Sequence, residues 1–93
     1  MKLFMLSAQI RKNWKLSGVN VTEQGTFALN GNTLYATLKS KAGLVAVDIT
    51  NGTKKWTYPT TGGDAYFPIV DKKGVVYFTE KGSQTVYAVD ADG

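Results

Sequence analysis

The stretch AVDITNGTKKW, residues 46–56, sets a small apolar residue (Ala46), an acid (Asp48), a glycine (Gly52) and a tryptophan (Trp56) at intervals of two, four and four residues. At its centre is Asn51-Gly52, flanked by β-branched and apolar residues. Both residues accept the positive φ of a tight turn whose twist matches the strands it joins, which makes the pair the strongest short-range hairpin signal. The stretch reads as the end of a strand at 44–48, a turn over 49–53 and a second strand at 54–59.

The same punctuation recurs upstream. Asn30-Gly31-Asn32 separates candidate strands at 25–29 and 33–38, and Lys39 to Gly43 separates the latter from 44–48. Four short antiparallel strands follow one another. Sliding the chain by 42 residues then sets Trp14 on Trp56, Lys12 on Lys54, Tyr35 on Tyr77, Thr37 on Thr79, Lys39 on Lys81, and Ala46-Val47-Asp48 on Ala88-Val89-Asp90, without a gap. These eight identities over 51 comparable positions exceed the roughly three that ordinary composition supplies. They also fall at equivalent places: TLYATL (33–38) lies on VVYFTE (75–80), and LVAVD (44–48) on VYAVD (86–90). A period near 40 residues is the mark of a repeated supersecondary unit.

Leu44 to Val47 and Val75 to Phe78 are unbroken apolar runs. A sheet with one wet face would alternate, so both runs are expected to be covered on both faces. A four-stranded antiparallel unit of this length, sandwiched between its neighbours, is the blade of a β-propeller. The expected fold class is all-β, with about two such blades in 93 residues.

Composition narrows the chemistry. Gly 10, Pro 2, 43% hydrophobic and 12% aromatic residues describe a globular chain. There is no cysteine and no histidine, which removes thiolate chemistry, disulfides, Cys- or His-based metal sites and His-dependent triads. The net charge of +4 comes mostly from lysines, and Lys39, Lys41, Lys54, Lys55, Lys72, Lys73 and Lys81 stand at the ends of apolar runs. That placement suits solvated turns and protected sheet edges and disfavours a nucleic-acid role, which calls for clustered basic residues interleaved with aromatics. The apolar run Leu3–Leu6 is shorter than the ~7–15 residues of a secretory core, and no run approaches the ~20 of a membrane span. The expectation is no signal peptide within the chain and no membrane span.

With these residues in view, Ala46, Asp48, Gly52 and Trp56 reproduce the A-x-D-x-x-x-G-x-x-x-W spacing that resembles the tryptophan-docking motif of PQQ-like (quinoprotein-type) β-propeller repeats. Asn51 and Thr53 stand where the motif usually has Thr and Lys, with the Lys displaced to Lys54. Ala88-Val89-Asp90-Ala91-Asp92-Gly93 resembles a second copy that stops before its tryptophan, and Trp14 is what remains of an earlier one. The resemblance implies that Trp56 packs between neighbouring blades, that Ala46 is small for close approach, that Asp48 bonds the hairpin backbone and that Gly52 takes a positive-φ turn position. Trp14, Ala88 and Asp90 are the matching blade-docking residues of the flanking copies.

The family's strand order further implies a lead-in at 1–11, an orphan outer strand at 12–18, a complete blade at 19–60 and three strands of the next blade at 61–93, eight strands in all. Two blades do not close a ring, since propellers need about four to eight. The expected partners are therefore other blades, supplied by head-to-tail homo-oligomerisation or by a longer parent chain, with a protein partner on the finished surface. Three or four copies would make six or eight blades.

Two functions follow from the resemblance: a non-catalytic scaffold or protein-interaction platform needing no cofactor, or a fragment of a PQQ-dependent quinoprotein dehydrogenase whose PQQ, calcium and catalytic residues lie outside the chain. No catalytic, cofactor-binding or metal-ligating residue can be mapped. Asp48 and Asp90 have docking roles, Asp64 and Asp71 read as turn residues, and Tyr66, Phe67, Tyr77 and Tyr87 read as core. Asp90-Ala91-Asp92-Gly93 lacks the further ligands of a calcium loop, and Gly62-Gly63 reads as the connection between blades. A periplasmic or cell-surface location is suggested by the resemblance alone.

Overall fold

The computed structural model describes residues 13–22 and 27–93, and within them the chain forms seven strands and no helix. Expectations for the lead-in at 1–11, for Lys12 and for the first residues of the strand expected at 25–29 lie outside the described residues. The first sheet comprises β1 (Phe27–Asn30), β2 (Thr33–Leu38), β3 (Gly43–Asp48) and β4 (Thr53–Tyr58), antiparallel and in that order. The second comprises β5 (Ala65–Val70), β6 (Val76–Glu80) and β7 (Thr85–Val89), again in sequence order. All-β architecture is thus the finding. The hairpins fall where Asn30-Gly31 and Asn51-Gly52 place them.

Register follows the repeat. Tyr35 pairs with Ala46 in the first sheet and Tyr77 with Ala88 in the second. A bulge beside Ala46 and Val47 lets β4 carry one extra residue, Lys55, whose ammonium donates to Thr33 Oγ1 at 2.9 Å. Pro68 sits in β5, an edge strand, inside a second bulge between Tyr66 and Ile69. Having no N–H to give a ladder, proline is accommodated at such a place.

The two sheets pack face to face. Ala28, Tyr35, Leu44 and Ala46 from the first meet Ala65, Val76, Phe78 and Val89 from the second, with Trp56, Val70 and Tyr87 closing the margin. Each fully buried Leu, Val or Phe here contributes about 1.5–3 kcal/mol relative to exposure. The other face of the first sheet, Ala36, Leu38, Val45 and Val47, is covered by Trp14, Leu16 and Val19. Both faces of β2 and β3 are therefore buried, as their unbroken apolar runs imply.

Residues 13–18, within the segment expected as an orphan outer strand at 12–18, belong to no ladder among the described residues, and Trp14 and Leu16 pack across a face of the first sheet. Just beyond it, Val21 bridges Leu38 and the Thr22 and Thr37 hydroxyls share a 2.7 Å hydrogen bond. One expectation needs correction: the run Val75–Phe78 is not covered on both faces. Burial along β6 alternates, because the second sheet has the first on one side and no described element on the other. For the same reason Phe67 and Tyr77, expected in the core, are 56% and 36% exposed, while Tyr66 and Tyr87 are half-buried.

Candidate functional site

The most organised polar geometry lies where each tryptophan meets the hairpin of a neighbouring unit. Trp56 stands opposite Ala46 across β3 and β4 and tilts against Tyr35, ring centres 5.9 Å apart. Its indole N–H does not turn to its own hairpin. It donates to the Ala91 carbonyl beyond β7, at 3.0 Å. Trp14 does the same one repeat earlier, donating to the Ile49 carbonyl at 2.8 Å. In each case the acceptor lies 35 residues after the tryptophan.

Each indole covers a glycine. A Cβ on Gly52 would fall 2.4 Å from the Trp14 ring, and one on Gly93 would fall 3.0 Å from the Trp56 ring. Both glycines have positive φ, so close approach and turn geometry act together at one position. An aspartate then holds each turn. Asp48 Oδ1 accepts from the Thr50 amide at 2.9 Å and its hydroxyl at 2.6 Å, and the Gly52 amide donates to the Asp48 carbonyl at 2.8 Å. Asp90 Oδ1 accepts from the Asp92 amide at 3.0 Å, and the Gly93 amide donates to the Asp90 carbonyl, also at 3.0 Å. The second turn is one residue shorter than the first. The Thr50 bonds hold the Asp48 carboxyl below its ordinary pKa.

Of the seven residues singled out in the sequence, Ala46 and Trp56 are brought together as cross-strand neighbours, and Asp48 and Gly52 share a turn. Trp14 joins Gly52, and Asp90 forms the turn over which Trp56 lies. Ala88 stands apart from the tryptophans, exposed on β7. The acceptors, Ile49 and Ala91, were not legible because any residue supplies a carbonyl. Their identical offset from the two tryptophans was the available signal.

Glu80 was also missed. It is 1% exposed at the end of β6, at the repeat position that Leu38 occupies in the first sheet. The Tyr87 hydroxyl donates to its Oε1, and its Oε2 lies under Gly62 without a full hydrogen bond. The Tyr87 bond holds its carboxyl below the ordinary range, aided by the Gly62 amide, Ser83 and the Thr61 amide, and opposed by desolvation. Glu80 thus anchors the linker between the sheets. That linker is further held to the β2–β3 loop, where the Ser40 amide donates to Asp64 Oδ1 at 2.7 Å and the Lys41 amide to the Gly63 carbonyl at 3.2 Å. Beside it an open cleft of about 280 Å³ is lined by Tyr66, Phe67, Thr79, Glu80 and Lys81. No group of three acidic, histidine or cysteine side chains able to hold a metal ion is assembled among the described residues.

No protein-family model, no curated protein and no solved structure matches this chain.

Proposed function

We propose that this chain is a β-propeller repeat module of the PQQ-like type, its two sheets being successive blades, and that it serves as a non-catalytic structural scaffold or protein-interaction platform. The observation that carries this reading is the pair of indole clasps. Both tryptophans reach from one unit to the hairpin of the next, over a glycine, to a carbonyl at the same offset. A device repeated with the sequence period fits a stacking role, since two catalytic residues would have no reason to recur so regularly. On this reading Ala46, Asp48, Gly52, Trp56, Trp14, Ala88 and Asp90 dock blades and hold no substrate.

The blade assignment is tested by hydrogen exchange on the Trp56→Ala variant. The clasp couples the sheets, so β5–β7 amides should lose protection against exchange well before β2 and β3; equal loss across both sheets would overturn it. The absence of catalysis is tested by adding PQQ with calcium. The expected result is no joint change in absorbance and thermal stability, and a joint rise would favour the quinoprotein alternative.

A further inference from the structure

The second sheet exposes an apolar face that its sequence equivalent in the first sheet buries. Tyr77, Val86 and Ala88 occupy the repeat positions of Tyr35, Leu44 and Ala46, which are 2%, 0% and 0% exposed beneath the second sheet. Ile69, paired with Tyr77 as Ala28 is with Tyr35, joins them. Yet Ile69 is 66% exposed, Val86 71% and Tyr77 36%. At the rim of this face β7 pairs only with β6 among the described residues, so one edge of the sheet is open. The first sheet has β4 at that edge.

The other end of the molecule carries the complement. Residues 13–18 alternate outward Asn13, Lys15 and Ser17 with inward Trp14 and Leu16, the period of an extended strand, without a ladder partner. Beside them a groove of about 130 Å³ runs over the first sheet, walled by Leu34, Ala36, Val45 and Val47. Trp14 already holds the clasp that Trp56 makes within the second unit. The segment is thus placed as the fourth strand of a sheet whose other strands are not among the described residues.

Resting on the blade reading above, we propose that these two ends bind each other between copies of this chain. The open edge of β7 takes residues 13–18 of a second copy as a fourth strand, and the Ile69, Tyr77, Val86 and Ala88 face seats on that copy's first sheet. The interface inside the chain supplies the register. As Ala46 pairs with Trp56, Val45 with Thr57 and Leu44 with Tyr58, so Ala88 of one copy pairs with Trp14 of the next, Tyr87 with Lys15 and Val86 with Leu16. The contact is heterologous, so it propagates until its rotation closes a ring. Three or four copies close one of six or eight blades, within the range that propellers adopt.

Because the chain has no cysteine, disulfide trapping reads this register directly. Leu16→Cys and Val86→Cys chains are prepared separately, checked for native circular dichroism, and oxidised alone and mixed. Leu16 and Val86 lie on outer faces with both sheets between them, at ~10 Å per sheet spacing, so no bond forms within a chain, given that a disulfide spans at most ~7 Å between Cα atoms. The expected result is a mixed dimer in the mixture, formed about tenfold faster than either self-dimer, and about tenfold faster than with Lys15→Cys in place of Leu16→Cys, whose side chain points to the opposite face. Light scattering on the unsubstituted chain should give three or four chain masses. A single-chain mass, or self-dimers of Val86→Cys as fast as the mixed dimer, overturns self-assembly. Neither outcome alters the exchange test of Trp56, so the blade reading stands or falls separately.

Discussion

Gly52 shows how one atom can decide a contact. Its φ is +77° and a Cβ would enter the Trp14 ring, so Gly52→Ala incurs both the left-handed penalty of about 1–2 kcal/mol and an overpacking cost of about 1–3 kcal/mol. Gly31 has φ +59° with nothing near its missing Cβ, so Gly31→Ala should cost the first term alone. Urea unfolding of the two variants isolates the tryptophan contact as the difference. Removing an indole donor is milder. Trp14→Phe should cost about 1 kcal/mol, a net hydrogen bond in a partly buried setting, and Trp56→Phe less, because its acceptor is open to water. Equal losses would mean that solvation does not set the worth of the two clasps.

Hairpins are held here by carboxylates that accept from their own turns. Asp71 Oδ1 takes the Lys73 amide at 2.9 Å and the Val75 amide at 3.0 Å between β5 and β6, and Tyr77 donates to Oδ2 at 3.2 Å. The Val75 amide first, then the Lys73 amide, Tyr77 and the Gly74 amide, hold the Asp71 carboxyl below its usual pKa, against desolvation. Tyr77 is raised by the same bond. Asp48 and Glu80 are depressed as well. A depressed carboxylate contributes stability in full above its unfolded pKa and loses it as pH falls through the folded value. Stability should therefore be level from neutral pH down to the ordinary carboxylate range and fall below it, and Asp71→Asn should flatten that acid limb in urea titrations at successive pH values. An unchanged limb would show that the turn bonds do not favour the ionised form.

For the molecule as a whole, stability and association pull on the same surface. The Ile69, Tyr77 and Val86 face adds little to the folded single chain, being exposed, so at concentrations too dilute for assembly Val86→Lys should change the unfolding free energy in urea by less than about 0.5 kcal/mol. On the proposal above, it should also convert the assembly to single chains by light scattering. Phe78→Ala, in the core between the sheets and stacked on Tyr87 at 5.0 Å, should instead cost about 3–5 kcal/mol.

The local chain chemistry by itself determined the strands and turns. Asn-Gly pairs and short β-branched runs act within a few residues, so β2 was placed without error, and β3, β4, β6 and β7 to within a residue at each end. The 42-residue period in turn made Trp14 and Trp56 equivalent before any contact was known. Only the tertiary structure decided which faces are wet and what each tryptophan reaches. The same apolar pattern is buried in Leu44 and exposed in Val86, because burial depends on a covering element that no residue encodes locally. The indole acceptors are backbone carbonyls, which every residue carries, so distance in space alone selects Ile49 and Ala91.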